Sequence, residues 1–236
     1  MAQNVVVIPT YNERENITQV IDAVFASGAS CDVLVVDDNS PDGTGQLVDE
    51  LARSRPGLGV LHRPQRLGLG SAYIDGFSRV LEKGYERVFS MDADLSHDPK
   101  YLPGFLAAME RYDMVVGSRY LTGVSVVNWP IWRLVLSLTA NAYARMVTGL
   151  PVRDCTSGFQ CFRAEVLRRI HLGAIRTNGY SFLIELKYRA LRAGFTVGEI
   201  PIIFVDRRRG TSKITRREIY ASIATVWKLR LGFYRE

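Results

Sequence analysis

The sequence has few cysteines, no long apolar run and, over most of its length, no excess of either charge. Its three cysteines, Cys31, Cys155 and Cys161, form no C-x-x-C pair. That excludes a disulfide framework, and a reducing compartment with no thiolate-held metal is the default expectation. The longest stretch free of Asp, Glu, Lys and Arg is residues 120–132, 13 residues, whereas a spanning helix needs roughly 20 apolar residues. The opening MAQNVVVIPTYNE lacks the basic start and apolar run of a cleaved leader. The expectation is a chain that lies on a membrane at most and crosses none. The three histidines, His62, His97 and His171, are scattered. No strong general-base candidate emerges from them.

What is present is a core-forming chain. Hydrophobic residues make up 47% and charged residues 23%. That is too apolar for a disordered protein and enough for one large domain or two small ones. The formal net charge of +6 is a property of the tail. Residues 205–236 carry nine Lys/Arg against three Asp/Glu, while the first 204 balance at 21 of each sign. No internal repeat is visible.

The first half alternates in type. VVVI at 5–8 reads as a strand, and Ile17, Val20, Ile21, Val24 and Phe25 then follow helical spacing. DVLVV at 32–36 predicts a strand, and SPDGT opens a helix with Ser40 as N-cap and Pro41 at the first helical position. Strands at 59–61, 87–91 and 114–117 alternate with helices marked by Ile74, Phe77 and Leu81 and by 99–111. This βαβαβ order predicts an α/β fold, a mostly parallel sheet with helices on both faces. Such sheets bind ligands at the carboxyl ends of their strands.

The second half is less regular. A helix runs from Pro130 to about 147. Arg133, Ser137, Asn141 and Arg145 form one polar stripe, with Ile131, Leu134, Val135, Leu138, Ala142 and Met146 on the other side. Short helices follow around 164–170 and 180–193. One or two strands lie in FTVGEIPIIFV, and a last helix starts near 216.

Three strand ends carry unusual polar chemistry: PTYNE, DDNSPDG and DADLSHD. Asp92 and Asp94, two apart at the end of an extended segment, point to one side. Two carboxylates that close suit a hard divalent cation sharing its shell with phosphates, with Ser96 next in the series; the alternative is that they cap the following helix. Asp37 and Asp38 suit either ribose or base donors or a turn. Tyr11 and Glu13 suit base recognition, or a capping box in Thr10-x-x-Glu13 or Asn12-x-x-Glu15. GLGSAYIDG fails the G-x-G-x-x-G pattern because Tyr73 replaces the third glycine, and it reads instead as close packing under a nucleotide.

VVVIPTYNE, VVDDNSPDGT, GLGSAYIDG, MDADLSH and GSRY together resemble the nucleotide-sugar half of a family 2 glycosyltransferase with the GT-A fold. TSGF at 156–159 and RRRGTSK at 207–213 narrow the resemblance to the dolichyl-phosphate mannose synthase (polyprenyl-phosphate mannosyltransferase) branch. It implies a catalytic domain over 1–215, with an acceptor- and membrane-facing insertion at about 120–150, and a basic amphipathic helix at 216–236. It places Pro9, Tyr11, Glu13, Val36 and Asp38 around the nucleoside, and Asp92, Ala93, Asp94 and Ser96 around a metal, Mg²⁺ or Mn²⁺, and the diphosphate. Arg119, Arg207 and Lys213 match its phosphate-facing cations. With Asp94 they form the implied catalytic set.

The reaction so implied is inverting transfer of mannose from GDP-mannose to a polyprenyl or dolichyl phosphate. A lipid monophosphate is largely ionised near neutral pH and needs no base. It needs cations, and Arg119, Arg133 and Ser137 are candidates for holding it, unless Arg133 merely belongs to a solvated face. The polyprenyl tail keeps the acceptor in the bilayer, so a peripheral enzyme on the cytoplasmic side is expected. Residues 124–147, with Trp129 and Trp132, are one candidate interface. The other is the last helix, with Ile219, Ile223, Val226 and Trp227 flanked by Arg216, Arg217, Lys228 and Arg230. Both helices alternatively pack on the sheet or on a second subunit. A membrane-anchoring partner subunit is compatible with this reading. Nucleic acid is not an expected ligand. The rival readings are a UDP-sugar donor such as UDP-glucose and a non-catalytic basic nucleic-acid-binding module.

Overall fold

The computed structural model describes residues 3–175, 177–206 and 225–232. Runs rich in valine and isoleucine form the strands, because branched side chains suit a pleated surface. β1 (Asn4–Thr10), β2 (Cys31–Asp37), β3 (Leu58–His62), β4 (Arg87–Ser90), β5 (Met114–Ser118), β7 (Gln160–Arg163) and β8 (Val197–Pro201) make one sheet in the order β3-β2-β1-β4-β7-β5-β8. Neighbouring strands are parallel except where β7 pairs with β4 and β5. Two short strands, β6 (Val126–Val127) and β9 (Phe204–Val205), pair in parallel apart from it.

Alternation along the strands fills two cores. Val5, Val7, Leu34 and Val36 point to one face, with α3 (Leu69–Glu82), α6 (Ala164–Arg169) and α7 (Gly179–Arg192). Val6, Ile8, Val33 and Val35 point to the other, with α1 (Ile17–Ala26), α2 (Thr44–Ala52) and α4 (Leu102–Ala108). The sheet is therefore buried on both faces, as the valine-rich runs require. α3 lies close against β1 and β2 because Gly76 has no side chain. A Cβ there would fall 2.6 Å from Val7 Cγ1 and 2.9 Å from Val36 Cγ2.

Three local differences from the sequence expectation have physical reasons. α2 starts at Thr44 rather than near Ser40. The Ser40 hydroxyl donates to Asp37 Oδ1 at 2.6 Å and accepts from the Asn12 N–H, so it caps no helix. Gly43, at φ 80°, makes the turn into the helix, and Asp42 Oδ1 accepts from the Thr44 N–H at 2.9 Å. The segment 99–111 divides into a 3₁₀ turn at Pro99–Tyr101 and the shorter α4. β7 gave no sequence expectation, because QCFR is four residues long and begins and ends on polar side chains.

α5 (Ile131–Thr148) has its polarity reversed. Asn141 is buried and Arg133 is mostly so, while Ile131, Trp132 and Met146 are 78%, 67% and 80% exposed. Of the polar stripe, Arg133, Ser137 and Asn141 face the protein while Arg145 is exposed, and the apolar side faces outward. The last helix is described only over 225–231, where Trp227 and Leu231 are exposed and Val226 and Leu229 are buried. Arg216, Arg217, Ile219 and Ile223 lie outside the described residues. Among the described residues no helix is long and apolar enough to cross a membrane.

Candidate active site

Chain order reverses between β1 and β4: β2 and β3 continue to one side of β1, and β4 lies on the other. A crevice opens outside the carboxyl ends of parallel strands at such a point. Here it is a cleft of about 410 Å³. It brings together Pro9, Tyr11, Glu13, Asp38, Asp92, Ala93, Asp94, Arg119 and Arg133, from four strand ends and α5.

One wall is acidic. Asp92 and Asp94 are half-buried and both line the cleft. Capping of the next helical turn falls to Asp98, whose Oδ1 accepts from the Lys100 N–H at 3.0 Å. Asp94 Oδ1 accepts from Ser96 N at 3.1 Å and Ser96 Oγ at 2.5 Å, across Leu95 at φ 63°. The Asp92 N–H donates to His97 Nδ1 at 3.0 Å. That ring nitrogen therefore carries its lone pair toward the amide, and its 3.8 Å approach to Asp92 Oδ2 is not a hydrogen bond. His97 is buried and stacks on Phe159 with centroids 5.0 Å apart. Beneath Asp92 the buried Tyr73 hydroxyl stands 3.5 Å from Oδ1. Burial and the neighbouring Asp92 push the Tyr73 phenol well above its usual range, so it remains a donor.

The two aspartates at the end of β2 divide their work. Asp37 is a turn residue, accepting from Thr10 Oγ1 at 2.9 Å and Ser40 N at 3.0 Å. The Glu13 N–H donates to Thr44 Oγ1 at 3.1 Å rather than to Thr10, so there is no Thr10–Glu13 capping box. Asp38 lines the cleft and is paired with the buried Arg63 guanidinium. Its Oδ2 also accepts from the Gly68 N–H at 3.2 Å, just before α3. Glu13 accepts from Asn16 Nδ2 at 3.0 Å, and the Arg66 guanidinium lies 4.3 Å from the Tyr11 ring centroid.

A second wall is cationic and aromatic. Arg119 is held in two parallel bonds by Asp154, Nε to Oδ2 and Nη2 to Oδ1, each 2.7 Å. Nη2 also donates to Thr156 Oγ1 at 2.8 Å. Burial disfavours both charges. Their attraction and the hydrogen bonds outweigh it, so Arg119 stays protonated and the Asp154 pKa lies below its usual range. Arg133 stacks on Trp129 at 4.3 Å and donates to Asp206 at 2.8 Å. Phe204 closes the edge of this wall, 5.5 Å from Trp129.

Other expected positions fall elsewhere. Val36 is fully buried and packs on Gly76 of α3, on the core side of the sheet rather than in the cleft. Ser96 is buried and gives its hydroxyl to Asp94, so it orients that carboxylate from beneath. Ser137 exchanges a 2.7 Å bond with the Tyr120 hydroxyl and is not in the cleft beside Arg133. Arg207 and Lys213 lie outside the described residues.

Several cleft residues carried no individual sequence signal: Arg66, Asn178, Phe204 and Asp206; Trp129, expected at a membrane interface, packs in the cleft against Arg119 and Arg133. Asn178 Oδ1 accepts from the Gly70 N–H at 2.9 Å, linking the starts of α3 and α7 at the cleft. The segment TSGF did stand out, and it contributes Thr156, Ser157 and Gly158.

Asp92 and Asp94 offer only oxygen donors, the chemistry a hard divalent cation takes. Among the described residues no cluster of three or more His, Cys, Asp or Glu could hold a metal by itself. The donor set thus fits an ion that completes its shell with substrate oxygens, and does not fit a closed structural site.

Comparison with known proteins bears on this arrangement. Residues 5–171 match the model of "Glycosyl transferase family 2". A polyprenol monophosphomannose synthase of Mycolicibacterium smegmatis is 45% identical over 232 residues, 97% of this chain and 88% of that protein. An undecaprenyl-phosphate mannosyltransferase of Micrococcus luteus is 44% identical over 226 residues, 96% and 93% of the two chains. Glucosyl-3-phosphoglycerate synthase from Mycobacterium tuberculosis, solved with Mn²⁺, UDP and glucosyl-3-phosphoglycerate, superposes with a TM-score of 0.66 at 19% identity, covering 98% of this chain and 80% of that one. The last likeness shows the shared GT-A fold. With acidic strand ends at the switch point of such a sheet, and a family match over most of its length, the chain belongs to glycosyl transferase family 2 and is a glycosyltransferase.

Proposed function

We propose that this enzyme transfers mannose from GDP-mannose to a polyprenyl phosphate, with inversion at the anomeric carbon. The observation that carries the reading is one cleft lined by both an acidic wall and a cationic one, the latter including Arg133 of α5, a helix whose exposed face is apolar. The names of the two relatives at 44–45% identity support mannose and a polyprenyl phosphate.

The residues then act as follows. Tyr11, Glu13 and Asp38 face the nucleoside, with Pro9 and Ala93 shaping the wall. Asp92 and Asp94 would hold Mg²⁺ or Mn²⁺. Such an ion, when bound, neutralises charge on the diphosphate. Asp94 is kept in place by Ser96, and Asp92 by its backbone bond to His97. Arg119 and Arg133 receive the acceptor phosphate, and Arg207 and Lys213 are proposed as further phosphate-facing cations. The acceptor oxygen is already anionic, so the step needs no general base. It attacks the anomeric carbon from the side opposite the diphosphate. A new C–O bond forms, the old one breaks, and GDP leaves with the electron pair. A peripheral seat on the cytoplasmic face, through the exposed side of α5, brings the cleft to a lipid that does not leave the bilayer.

Mass spectrometry of products tests the reading. Purified protein is supplied with polyprenyl phosphate, Mg²⁺ or Mn²⁺ and GDP-mannose, or UDP-glucose in a parallel arm. The expected product is a polyprenyl phosphate hexose from the GDP-mannose arm, with anomeric configuration opposite to the donor. Product from UDP-glucose alone would refute the donor assignment.

A further inference from the structure

Lys187 is fully buried in α7, below the floor of the cleft. Burial lowers its pKa to about 8. Its amine donates to the Ser157 carbonyl at 2.9 Å and the Leu183 carbonyl at 3.2 Å. The Ser157 carbonyl also accepts from Gln160 Nε2 at 2.8 Å, and the Gly158 carbonyl accepts from Ser90 Oγ at 2.7 Å. Three fully buried side chains thus pull consecutive carbonyls of the cleft-lining turn inward.

Peptide planarity gives this a consequence. In a trans peptide the N–H points opposite to the C=O. With the Ser157 carbonyl drawn toward Lys187 and Gln160, the Gly158 N–H of the same trans peptide is turned away from them, and Gly158 itself lines the cleft. No acceptor among the described residues takes it up. Gly158 also stands beside the acidic pair: a Cβ built there would lie 3.8 Å from Asp92 Oδ1 and 3.6 Å from His97 Cε1. A buried side chain dedicated to a carbonyl costs ordering and desolvation, and a fixed amide facing a reacting anion is what such an arrangement supplies.

We propose that the Gly158 N–H donates a hydrogen bond to a substrate phosphate oxygen in the cleft, and that Lys187 is the positioning residue that aims it, together with Gln160 and Ser90. The inference rests on the reading of the cleft as a phosphate-handling site. It adds a neutral, directional donor close to the acidic wall, where a lysine or arginine would instead pair with Asp92.

The test follows the Gly158 amide by NMR in protein labelled with ¹⁵N-glycine, assigned by loss of the resonance in Gly158→Ala. GDP, inorganic pyrophosphate and farnesyl phosphate are titrated separately, each with Mg²⁺. A downfield shift of the Gly158 proton with GDP or pyrophosphate supports the inference and assigns the donor diphosphate. A shift with farnesyl phosphate alone supports it and assigns the acceptor. An unmoved resonance at saturation with all three overturns it. Lys187→Met, which keeps the volume and removes the donor, is expected to lose the shift and to lower kcat at least about tenfold, with KM within about threefold. A Lys187→Met enzyme that keeps both the shift and the wild-type kcat overturns the role of Lys187. Wild-type transfer of mannose is assayed independently, so failure of the amide to respond in an active enzyme is distinct from failure of the proposed reaction.

Discussion

The two walls of the cleft are built differently. The acidic wall comes from loops directly after β1, β2 and β4, and much of what orients it is local. Ser96 holds Asp94 from two residues away and His97 receives the Asp92 amide from five. The cationic wall is assembled from distant pieces. Arg119 depends on Asp154, 35 residues on, and Arg133 on Asp206, 73 residues on. A strand end places a short carboxylate by backbone geometry alone. A long, flexible arginine in a nearly dry site needs a partner that only the finished fold delivers.

Breaking the longer-range wall should have the largest effect. Asp154→Ala leaves the Arg119 guanidinium buried without its carboxylate, and about 3–5 kcal/mol of stability is expected to disappear in urea unfolding. A loss below about 1 kcal/mol would mean that Arg119 re-solvates freely and that the wall is not fold-dependent.

Lys187 sharpens the same point through pH. Its native pKa of about 8 lies below the ordinary lysine value of 10.5, chiefly through burial, with Arg119 adding to the lowering and Cys155, Asp154 and Glu199 opposing it. Between those values the unfolded chain binds more protons than the native one, so stability from this group rises with pH across that window. Below about pH 8 the full cost stands, on the order of 3 kcal/mol. Unfolding free energies of the wild type and Lys187→Met, compared from pH 7 to 10, should therefore diverge in favour of the wild type as pH rises. A constant difference would place the amine in a far wetter site.

The acidic wall should fail in activity rather than in folding. Asp94→Asn is expected to slow transfer at least about a hundredfold, with little change in unfolding midpoint, because Asp94 is half-buried and already faces solvent. The smallest effect concerns the outer face of α5. Trp132→Ser is expected to weaken partition onto anionic vesicles about tenfold, measured by co-sedimentation, with turnover on a short, soluble acceptor retained. Unchanged partition would show that this face covers something other than lipid.

The alternation of valine-rich runs with helical spacing made the sheet and its two helix layers readable, because a period of two and a period of 3.6 are properties of the chain alone. The carboxylates of the acidic wall were readable for the same reason, since they follow those strands; Asp206, which also lines the cleft, was not. Ser40 misled because a hydroxyl can cap a helix or join a turn, and the Asp37 carboxylate three residues earlier settled the choice. Ser137 misled because helical spacing gives a face without saying what lies opposite, here the Tyr120 hydroxyl. α5 shows the limit most clearly: its stripes were correct, yet only packing decided that the polar one turns inward.

The sequence by itself determined the elements, their alternation and the three strand ends where carboxylates gather. Tertiary structure alone decided which aspartate faces the cleft and which closes a turn. It also decided which arginine is clamped by a buried carboxylate, and that a lysine lies beneath the floor. The physical reason is one of range. Backbone periodicity acts between near neighbours and is written in order along the chain, whereas desolvation and charge pairing depend on which distant groups the fold brings within a few ångströms.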